Sequence, residues 1–404
     1  MSKTFYKELR DGKYIFVVLL LLIVNGCGIN KNDTTAPDYV LEMEHVTIFS
    51  EDDIANADSL RLIPEQIFKD TDEHPIATYG SVVVDGFGRV FIGDRTQYSI
   101  HVFDHDGGYL GRFGGEGSGP GEFQWLGRMN IQNNRLYVYD PNGRKINIFN
   151  LGTDSRNLPE YESAIVIGSD SWDDFPEPGF VNPGFHSVGK DNSILLFSGT
   201  SPFVYRDHPD SIGVKRYYRW NGDHDEQPEV VFEIDEPRHI VTEWFLIPPP
   251  FATSGIMATS EDDLIYSAYT DDFLIQKHNA LGEYQSAFYY PFEKRALSRE
   301  EAVKSVDDHE QLQDAVQSMP IPDTWPAVRE MFVDNAERLW ILVYAKNDEI
   351  NKWYVLEESG GLLARFELPG GTSIAKVNDM SLYTRETDEE TGLQQVVRYS
   401  IEMD

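Results

Sequence analysis

One stretch of the chain, residues 79–123, constrains the fold more than any other. It contains four short apolar runs rich in β-branched and aromatic residues, which span residues 82–84, 89–92, 100–103 and 109–113. Clusters of Gly and Asp separate the runs, and these residue types accept the dihedral angles of tight turns. The pattern predicts four short antiparallel strands in one sheet. Because one small sheet cannot bury its own faces, further copies of the unit should follow in the chain.

The first turn of this unit and the strand after it recur, giving six copies in all. The equivalent apolar residues of the six copies are Val90, Leu136, Ile194, Leu264, Leu339 and Leu382. A second element trails each copy in the same order, from IHVFDHDGG in the first to VVRYSIEMD in the last. Two features that repeat six times in one order indicate radial repetition. The sequence therefore predicts an all-β protein, a six-bladed β-propeller of four-stranded antiparallel blades.

The first copy also resembles a complete NHL-type propeller repeat. Its D-G-x-G-R-V-F-I-x-D segment precedes I-x-V-F-D-x-D-G and a glycine-rich segment that ends in G-P-G-E-F. The resemblance extends over residues 131–150 and 331–368 and is poor in the third and fourth copies, where long insertions intervene. It implies the six-bladed fold. It implies no particular activity, because such propellers carry unrelated functions.

The last blade is too short to be complete. Only 22 residues follow Leu382, which is enough for two more strands at most. A missing outer strand would leave an exposed sheet edge. Residues 39–49 alternate apolar and polar side chains, as a half-buried strand does. We therefore expect this N-terminal strand to pair with the last blade and close the ring of a single propeller domain, residues 39–404.

Three insertions interrupt the regular all-β pattern. Two of them are rich in aromatic residues and proline and lie within residues 161–186 and 238–254. The third, residues 298–319, predicts one helix, because Ser298 and Glu301 have the spacing of a capping box and apolar residues share one face. Insertions between propeller blades commonly shape the binding face. We expect the helical insertion to form a rim or lid there.

The N-terminus has the pattern of an export signal. Four basic residues precede an apolar run over residues 14–24, which is too short to span a bilayer. The run ends in V-N-G-C, which resembles the lipobox of bacterial lipoproteins. The resemblance implies a signal peptide at residues 1–26, lipidation of Cys27 and a polar tether at residues 27–38. It further implies a lipid-anchored protein of the bacterial cell envelope that faces the periplasm or the cell surface and touches the membrane only through its lipid.

Charge and cysteine content limit the partners and the source of stability. The formal net charge is −34, so repulsion from phosphates makes nucleic acid an improbable partner. Cys27 is the single cysteine, so the chain has no internal disulfide and its stability must come from its core.

Motifs that would mark catalysis are not evident. The segment FGGEGSGPGEF lacks the Gly-Lys-Ser/Thr ending of a phosphate loop, and Asp104 to Gly108 lacks the Glu that would complete a calcium loop. The ten histidines form neither HExxH nor a Cys/His cluster, and no nucleophile elbow occurs. We predict no catalytic residue, no metal ligand and no cofactor from the sequence.

The loops at one mouth of the propeller channel carry the remaining candidates. By the repeat alignment, these loops supply Arg95, Tyr98, Trp125, Arg144, Lys145, Tyr269 and Trp325. From this set we predict Arg95, Trp125, Arg144 and Trp325 as ligand-binding residues, because Arg and aromatic side chains suit an anionic or ring-bearing ligand. In the other interpretation, Arg95 and Arg144 form structural ion pairs with Asp94 and Asp140.

Two classes of function follow. The first is a non-catalytic binding or scaffolding propeller that recognises a protein, peptide or glycan ligand at the channel mouth. The alternative is a propeller enzyme of the lactonase or lyase type with a metal in the central channel, to which Asp94 and Asp140 could contribute.

Overall fold

The computed structural model describes residues 36–404 except 72, 169–174, 209–210, 224, 307–308, 346–348, 379–380 and 404. Cys27 and the predicted signal peptide therefore lie outside the described residues. Four short elements precede the first complete blade: α1 (Asp38–Leu41), β1 (Val46–Ile48), α2 (Glu51–Ala55) and β2 (Asp58–Phe68). Within the described residues, no helix combines the length and apolar character needed to cross a bilayer.

The remaining strands complete a six-bladed β-propeller. Blade 1 consists of β3 (Tyr79–Val84), β4 (Val90–Asp94), β5 (Ser99–Phe103) and β6 (Tyr109–Gly114). Blade 2 consists of β7 (Met129–Gln132), β8 (Arg135–Asp140), β9 (Lys145–Asn150) and β10 (Glu160–Val166). Blade 3 consists of β11 (Gly184–Val188), β12 (Ile194–Gly199), β13 (Val214–Trp220) and β14 (Glu229–Asp235), with α3 (Pro202–Asp207) between β12 and β13.

A short hairpin, β15 (Ile240–Val241) with β16 (Leu246–Ile247), precedes blade 4. Blade 4 consists of β17 (Gly255–Thr259), β18 (Ile265–Tyr269), β19 (Leu274–His278) and β20 (Tyr284–Tyr289). Blade 5 consists of β21 (Val328–Val333), β22 (Leu339–Val343), β23 (Ile350–Leu356) and β24 (Leu362–Pro369). Blade 6 consists of β25 (Ser373–Asn378), β26 (Ser381–Thr387), β27 (Gln394–Met403) and the N-terminal β2.

The alternating sequence pattern places the core between the blades. The second and third strands of blade 1 are buried along their whole length, because each of their faces packs on a neighbouring sheet. The outer strand β6 is only partly buried. The fourth repeat differs in one detail from the sequence alignment: Ile265, not Leu264, pairs with Thr259 and is fully buried.

The N-terminal strand closes the ring, as predicted, but the predicted segment is wrong. The closing strand is β2, which pairs antiparallel with β27 from Leu60 opposite Met403 to Phe68 opposite Val396. Residues 39–49 instead contribute α1 and β1, and β1 adds to the outer edge of blade 4 in parallel with β20. Both segments alternate apolar and polar residues, but β2 has 11 residues against three in β1 and reaches the length of β27.

The helical insertion is two helices, and the prediction of one helix is wrong in this respect. Ser298 forms the predicted capping box with Glu301 and begins α4 (Arg299–Lys304). A second helix, α5 (Glu310–Ser318), begins after His309, whose backbone is extended. The break between the helices lets Ala302 and Leu312 enter one apolar cluster together with Ile240 of the hairpin. Packing on this cluster outweighs the continuous helical pattern of the sequence.

Candidate functional site

The candidate site lies at one end of the central channel. Each first strand begins there, after a crossover from the preceding blade, and each second strand ends there in a loop to the third. We call this end the crossover face; it is formed by the crossovers between blades and the loops between second and third strands. All four predicted ligand-binding residues, Arg95, Trp125, Arg144 and Trp325, fall in these segments.

Two buried carboxylates shape the loops of this face. Asp94 accepts hydrogen bonds from the backbone N–H groups of Ala77 (2.7 Å), Thr78 (3.3 Å), Thr96 (2.8 Å) and Gln97 (3.1 Å). The side chain therefore fastens the crossover into blade 1 to the loop between β4 and β5. Oδ1 accepts three of these bonds and Oδ2 accepts the one from Ala77.

Asp140 has the same role one blade further on. Its carboxylate accepts from the backbone N–H groups of Gln124 (2.9 Å), Trp125 (3.1 Å) and Gly143 (2.8 Å). Among the described residues, neither Asp94 nor Asp140 is within ion-pair distance of Arg95 or Arg144, so the ion-pair interpretation is wrong. The two carboxylates are turned into their own loops, which also removes the geometric basis for assigning them to a shared metal.

Arg95 lies across the rim of the channel. A Cβ atom built on Gly80 would be 3.1 Å from its Cγ and 3.3 Å from its Nε. Gly80 is the second residue of the innermost strand β3. Because Gly80 has no side chain, the exposed Arg95 side chain can lie against it beside the channel mouth.

Trp125 and Arg144 are exposed on the same face. The Trp125 side chain is 43 % exposed and tilts against Tyr98, with ring centroids 6.3 Å apart. Arg144 ends its loop with a left-handed backbone (φ 51°), and its guanidinium lies over Gly168 in the next crossover. Both side chains are available to a ligand.

Trp325 differs from the other three because its side chain is only 4 % exposed. The Arg295 guanidinium lies 5.0 Å from the centre of its ring, and Tyr344 stacks on it at 5.3 Å. Trp325 belongs to the apolar cluster beneath α4 and α5. It supports the insertion and does not present an exposed ring, which corrects the expectation of an exposed anchor.

Sequence reasoning missed the channel wall itself. The first strands of all six blades enclose a cavity of about 530 Å³, lined by residues 81–86, 128–133, 186–188, 257–261, 263, 331–335 and 374–378. Arg128, His186 and Lys376 are the basic side chains among these residues. These residues could be found from sequence only by assigning the channel-facing positions of each first strand. Bulges shift that register in β11, which carries His186, and in β25, which carries Lys376.

The wall near Arg128 holds groups with shifted pKa values. Burial lowers the pKa of Arg128, which the nearby Tyr217 opposes. Burial, with the charges of Arg128 and Lys215 acting in the same direction, lowers the pKa of His186 to about 3. Burial raises the pKa of Tyr217, on the third strand of the same blade as His186, to about 12. At neutral pH the cationic Arg128 therefore shares the cavity lining with the neutral imidazole of His186.

No group of three or more His, Cys, Asp or Glu side chains is arranged to hold a metal ion in the part of the chain that the structure describes. Lys376 lies toward the other half of the channel, where burial lowers its pKa and Glu261 and Asp334 oppose that change. The site thus combines arginine and aromatic side chains around the channel mouth with a cavity whose lining holds both basic residues and the acidic residues Asp85, Glu261, Asp263 and Asp334.

The fold and this site define the class of protein, a six-bladed β-propeller. Residues 35–171 match the model of a family described as DUF5128: 6-bladed beta-propeller. No curated protein sequence matches the chain.

Several solved structures are similar to this chain over most of its length. A member of the DUF4221 family from Bacteroides vulgatus is 11 % identical, with a TM-score of 0.51 over 86 % of this chain and 99 % of that one. A protein from Bacteroides fragilis, with a provisional description as an exported protein, is 12 % identical, with a TM-score of 0.45 over 89 % of this chain and 99 % of that one. Virginiamycin B lyase from Staphylococcus aureus is 10 % identical, with a TM-score of 0.38 over 85 % and 99 %. Likeness at such identities concerns the fold alone.

Proposed function

We propose that this chain is a non-catalytic binding or scaffolding propeller that recognises a protein, peptide or glycan ligand at the crossover face. The observation that carries the proposal is the concentration of exposed aromatic side chains on that face. Trp125 is 43 % exposed, Phe203 74 %, Trp244 69 % and Tyr269 48 %. Exposed aromatic rings of this size are typical anchors of binding surfaces.

The four rings come from separate elements that converge on one face. Trp125 lies in the crossover from blade 1 to blade 2, Phe203 in α3, Trp244 in the hairpin before blade 4, and Tyr269 at the end of β18. The Tyr205 and His239 rings pack 4.3 Å apart and join α3 to the segment that carries Trp244. The surface is therefore built on a packed support, which lowers the entropy lost when a partner binds.

Basic side chains share this face with the rings. Arg95 and Arg144 are in the loops that follow the second strands of blades 1 and 2, and Arg128 lines the channel cavity. In a chain of net charge −34, this local basic character is distinctive. It favours a ligand that offers apolar or ring faces to the rim and negative charge to the channel.

We further propose that the protein acts in the bacterial cell envelope, anchored by a lipid at Cys27. The support is the sequence pattern alone: a basic segment, an apolar run of secretory length and the V-N-G-C motif. A tether between the lipid and the propeller would let the crossover face meet partners at the membrane surface or in the periplasm.

A ligand screen tests the proposed function. The purified protein, labelled away from the crossover face, is applied to glycan and peptide arrays, and each hit is titrated in solution. A saturable hit that depends on crossover-face residues supports the proposal. Turnover of a hit into a new product would instead establish an enzyme, and the non-catalytic assignment would fall.

A further inference from the structure

A lone guanidinium in the channel wall is the starting observation. Arg128 directly precedes β7, and its carbonyl continues the strand ladder by accepting from the N–H of Tyr139 at 2.9 Å. Its side chain lines the channel cavity at the crossover end. Water in the channel reaches it, while protein surrounds it on the other sides.

Arg128 has no protein counter-ion. Among the described residues, no carboxylate lies within 4.0 Å of its guanidinium, and its side chain has no hydrogen-bond partner. The charges of Arg128 and Lys215 both act on His186. The Arg128 guanidinium therefore faces the open channel with its hydrogen-bond donors available to a partner of opposite sign.

Other basic residues of the protein show the contrast. The fully buried Arg89 and the partly buried Arg338 each lie 2.7 Å from an aspartate oxygen of their own turn. The chain carries 68 acidic residues against 34 basic ones, so carboxylates are abundant. An unpaired arginine in the channel of such a protein can therefore pair with a negatively charged group of a ligand.

The surrounding wall offers further ligand contacts. Ser81 Oγ accepts from the backbone N–H of Met129 at 3.1 Å, which leaves its hydroxyl hydrogen free to donate. Asn130 lines the same cavity, and its buried Oδ1 has no partner in the described structure. Tyr217 packs edge-on against His186 at 5.4 Å and stays protonated at neutral pH. A hydroxyl donor at Ser81 and an amide acceptor at Asn130 thus line the same cavity as the guanidinium.

We propose that the crossover end of the channel binds the carboxylate or phosphate group of a small ligand, or of the end of a larger one, with Arg128 as the principal contact. A cavity of about 530 Å³ is of the size that holds a small organic ligand. Arginine suits the role because its planar fork pairs with both oxygens of such a group. The proposal rests on the proposed function, since the cavity opens on the face assigned to ligand binding.

The test measures thermal unfolding and titration calorimetry of the purified protein with inorganic phosphate and with glucuronate, each against sodium chloride of equal ionic strength. Wild type should gain melting temperature with at least one of the two anions, because a ligand that binds only the folded state stabilises it. A response to phosphate alone or to glucuronate alone identifies which oxyanion the site takes. No response to either overturns the proposal.

Arg128→Ala and Arg128→Gln give the sharper result. Each should bind the responsive anion at least about tenfold more weakly, because a charge-assisted hydrogen bond is lost. In chloride alone each should be about as stable as wild type, since the Arg128 side chain is exposed to the channel and has no ion pair to lose. Unchanged anion binding, or a clear loss of stability in chloride by both variants, overturns the proposal and makes Arg128 structural.

Arg156→Ala is the matched control, because Arg156 is an exposed arginine paired only with Asp154 in its own turn. It should leave the anion response intact. Failure of the anion response while array ligands still bind through the crossover face would overturn the anion site and leave the proposed function standing.

Discussion

The Nε atom of Arg89 lies 2.7 Å from Oδ2 of Asp85, and both side chains are fully buried. Arg89 also donates to the carbonyl oxygen atoms of Leu151 (2.8 Å) and Asn157. The ion pair thus joins the first turn of blade 1 to the last turn of blade 2, at the end of the channel opposite the crossover face. Asp334 and Arg338 repeat the pair in blade 5 at the same distance.

Arg89→Ala should destabilise the protein strongly. It leaves Asp85 without its counter-ion and the carbonyl groups of Leu151 and Asn157 without their donor, and breaking a buried pair in this way costs about 3–5 kcal/mol. Urea unfolding followed by tryptophan fluorescence measures the loss. Lys304→Ala, which removes an exposed pair with Glu300, should leave the free energy of unfolding nearly unchanged. Equal effects of the two substitutions would contradict the structural role of Arg89.

Ring closure by β2 predicts a strong effect at Phe68. The Phe68 side chain is fully buried and packs on Phe103 of blade 1 and Tyr383 of blade 6. Phe68→Ala should lower the free energy of unfolding by about 3–5 kcal/mol. Leu41→Ala, in the segment first expected to close the ring, removes a side chain that is 37 % exposed and should have a small effect. The reverse order would place closure in residues 39–49 after all.

Asp140 should stabilise the fold through its hydrogen bonds and should not bind a metal ion. Asp140→Ala removes a fully buried carboxylate and leaves three partly buried backbone N–H groups of the crossover and loop without their acceptor, which together should cost about 1–3 kcal/mol. The melting temperature should fall clearly, and calcium, zinc or a chelator should leave both wild type and variant unchanged. Stabilisation of wild type by an ion, lost in Asp140→Ala, would restore the metal alternative.

The stability of the protein should depend on pH through His186. Its pKa in the folded protein is about 3, against about 6.5 for an unperturbed histidine, because of burial and the charges of Arg128 and Lys215. Between these values the unfolded chain binds a proton that the folded protein does not, so the free energy of unfolding falls as the pH is lowered.

His186→Asn removes this contribution. The free energy of unfolding of the variant should therefore rise relative to wild type as the pH is lowered from neutral through this window, as measured by urea unfolding at a series of pH values. His105→Asn, at an exposed ring, serves as the control. A difference between His186→Asn and wild type that stays constant with pH would mean that the ring is protonated freely in the folded channel.

The anchor prediction is tested in cells of the source organism or a bacterial host. Cys27→Ala should release the protein from membrane fractions or block its processing, because the lipidated residue is lost. Replacement of Asn25 serves as a milder control that keeps the cysteine. Correct processing and membrane retention of Cys27→Ala would contradict lipid anchoring.

The architecture could be predicted from the sequence because the turn and strand pattern of one blade recurs in every blade. Six copies of one turn and strand are enough to count blades, even though the copy at Ile265 was misaligned by one residue. The closing strand could not be assigned in the same way, because residues 39–49 and β2 have the same alternation and only pairing with β27 separates them.

The candidate site was predicted in part. The repeat alignment placed Arg95, Trp125 and Arg144 on the crossover face, since loops between equivalent strands meet at one end of a propeller. Burial of Trp325 depends on contacts with Arg295 and Tyr344 that are distant in sequence. Arg128 was missed because its role follows from the absence of a nearby carboxylate, which only the folded arrangement reveals.

The central claim is that the crossover face recognises a ligand. It is tested most directly by comparing the ligand affinity of variants substituted on this face with that of a variant substituted on the opposite face. The affinity of an array hit is measured for wild type, Trp125→Ala, Arg144→Ala and Leu281→Ala, where Leu281 is a 68 % exposed apolar residue in a turn on the opposite face. Trp125→Ala should weaken binding by about 2 kcal/mol and Arg144→Ala should also weaken it, with melting temperatures nearly unchanged, while Leu281→Ala binds as wild type does. Loss of binding in Leu281→Ala alone, with full affinity in the other two, would contradict the claim.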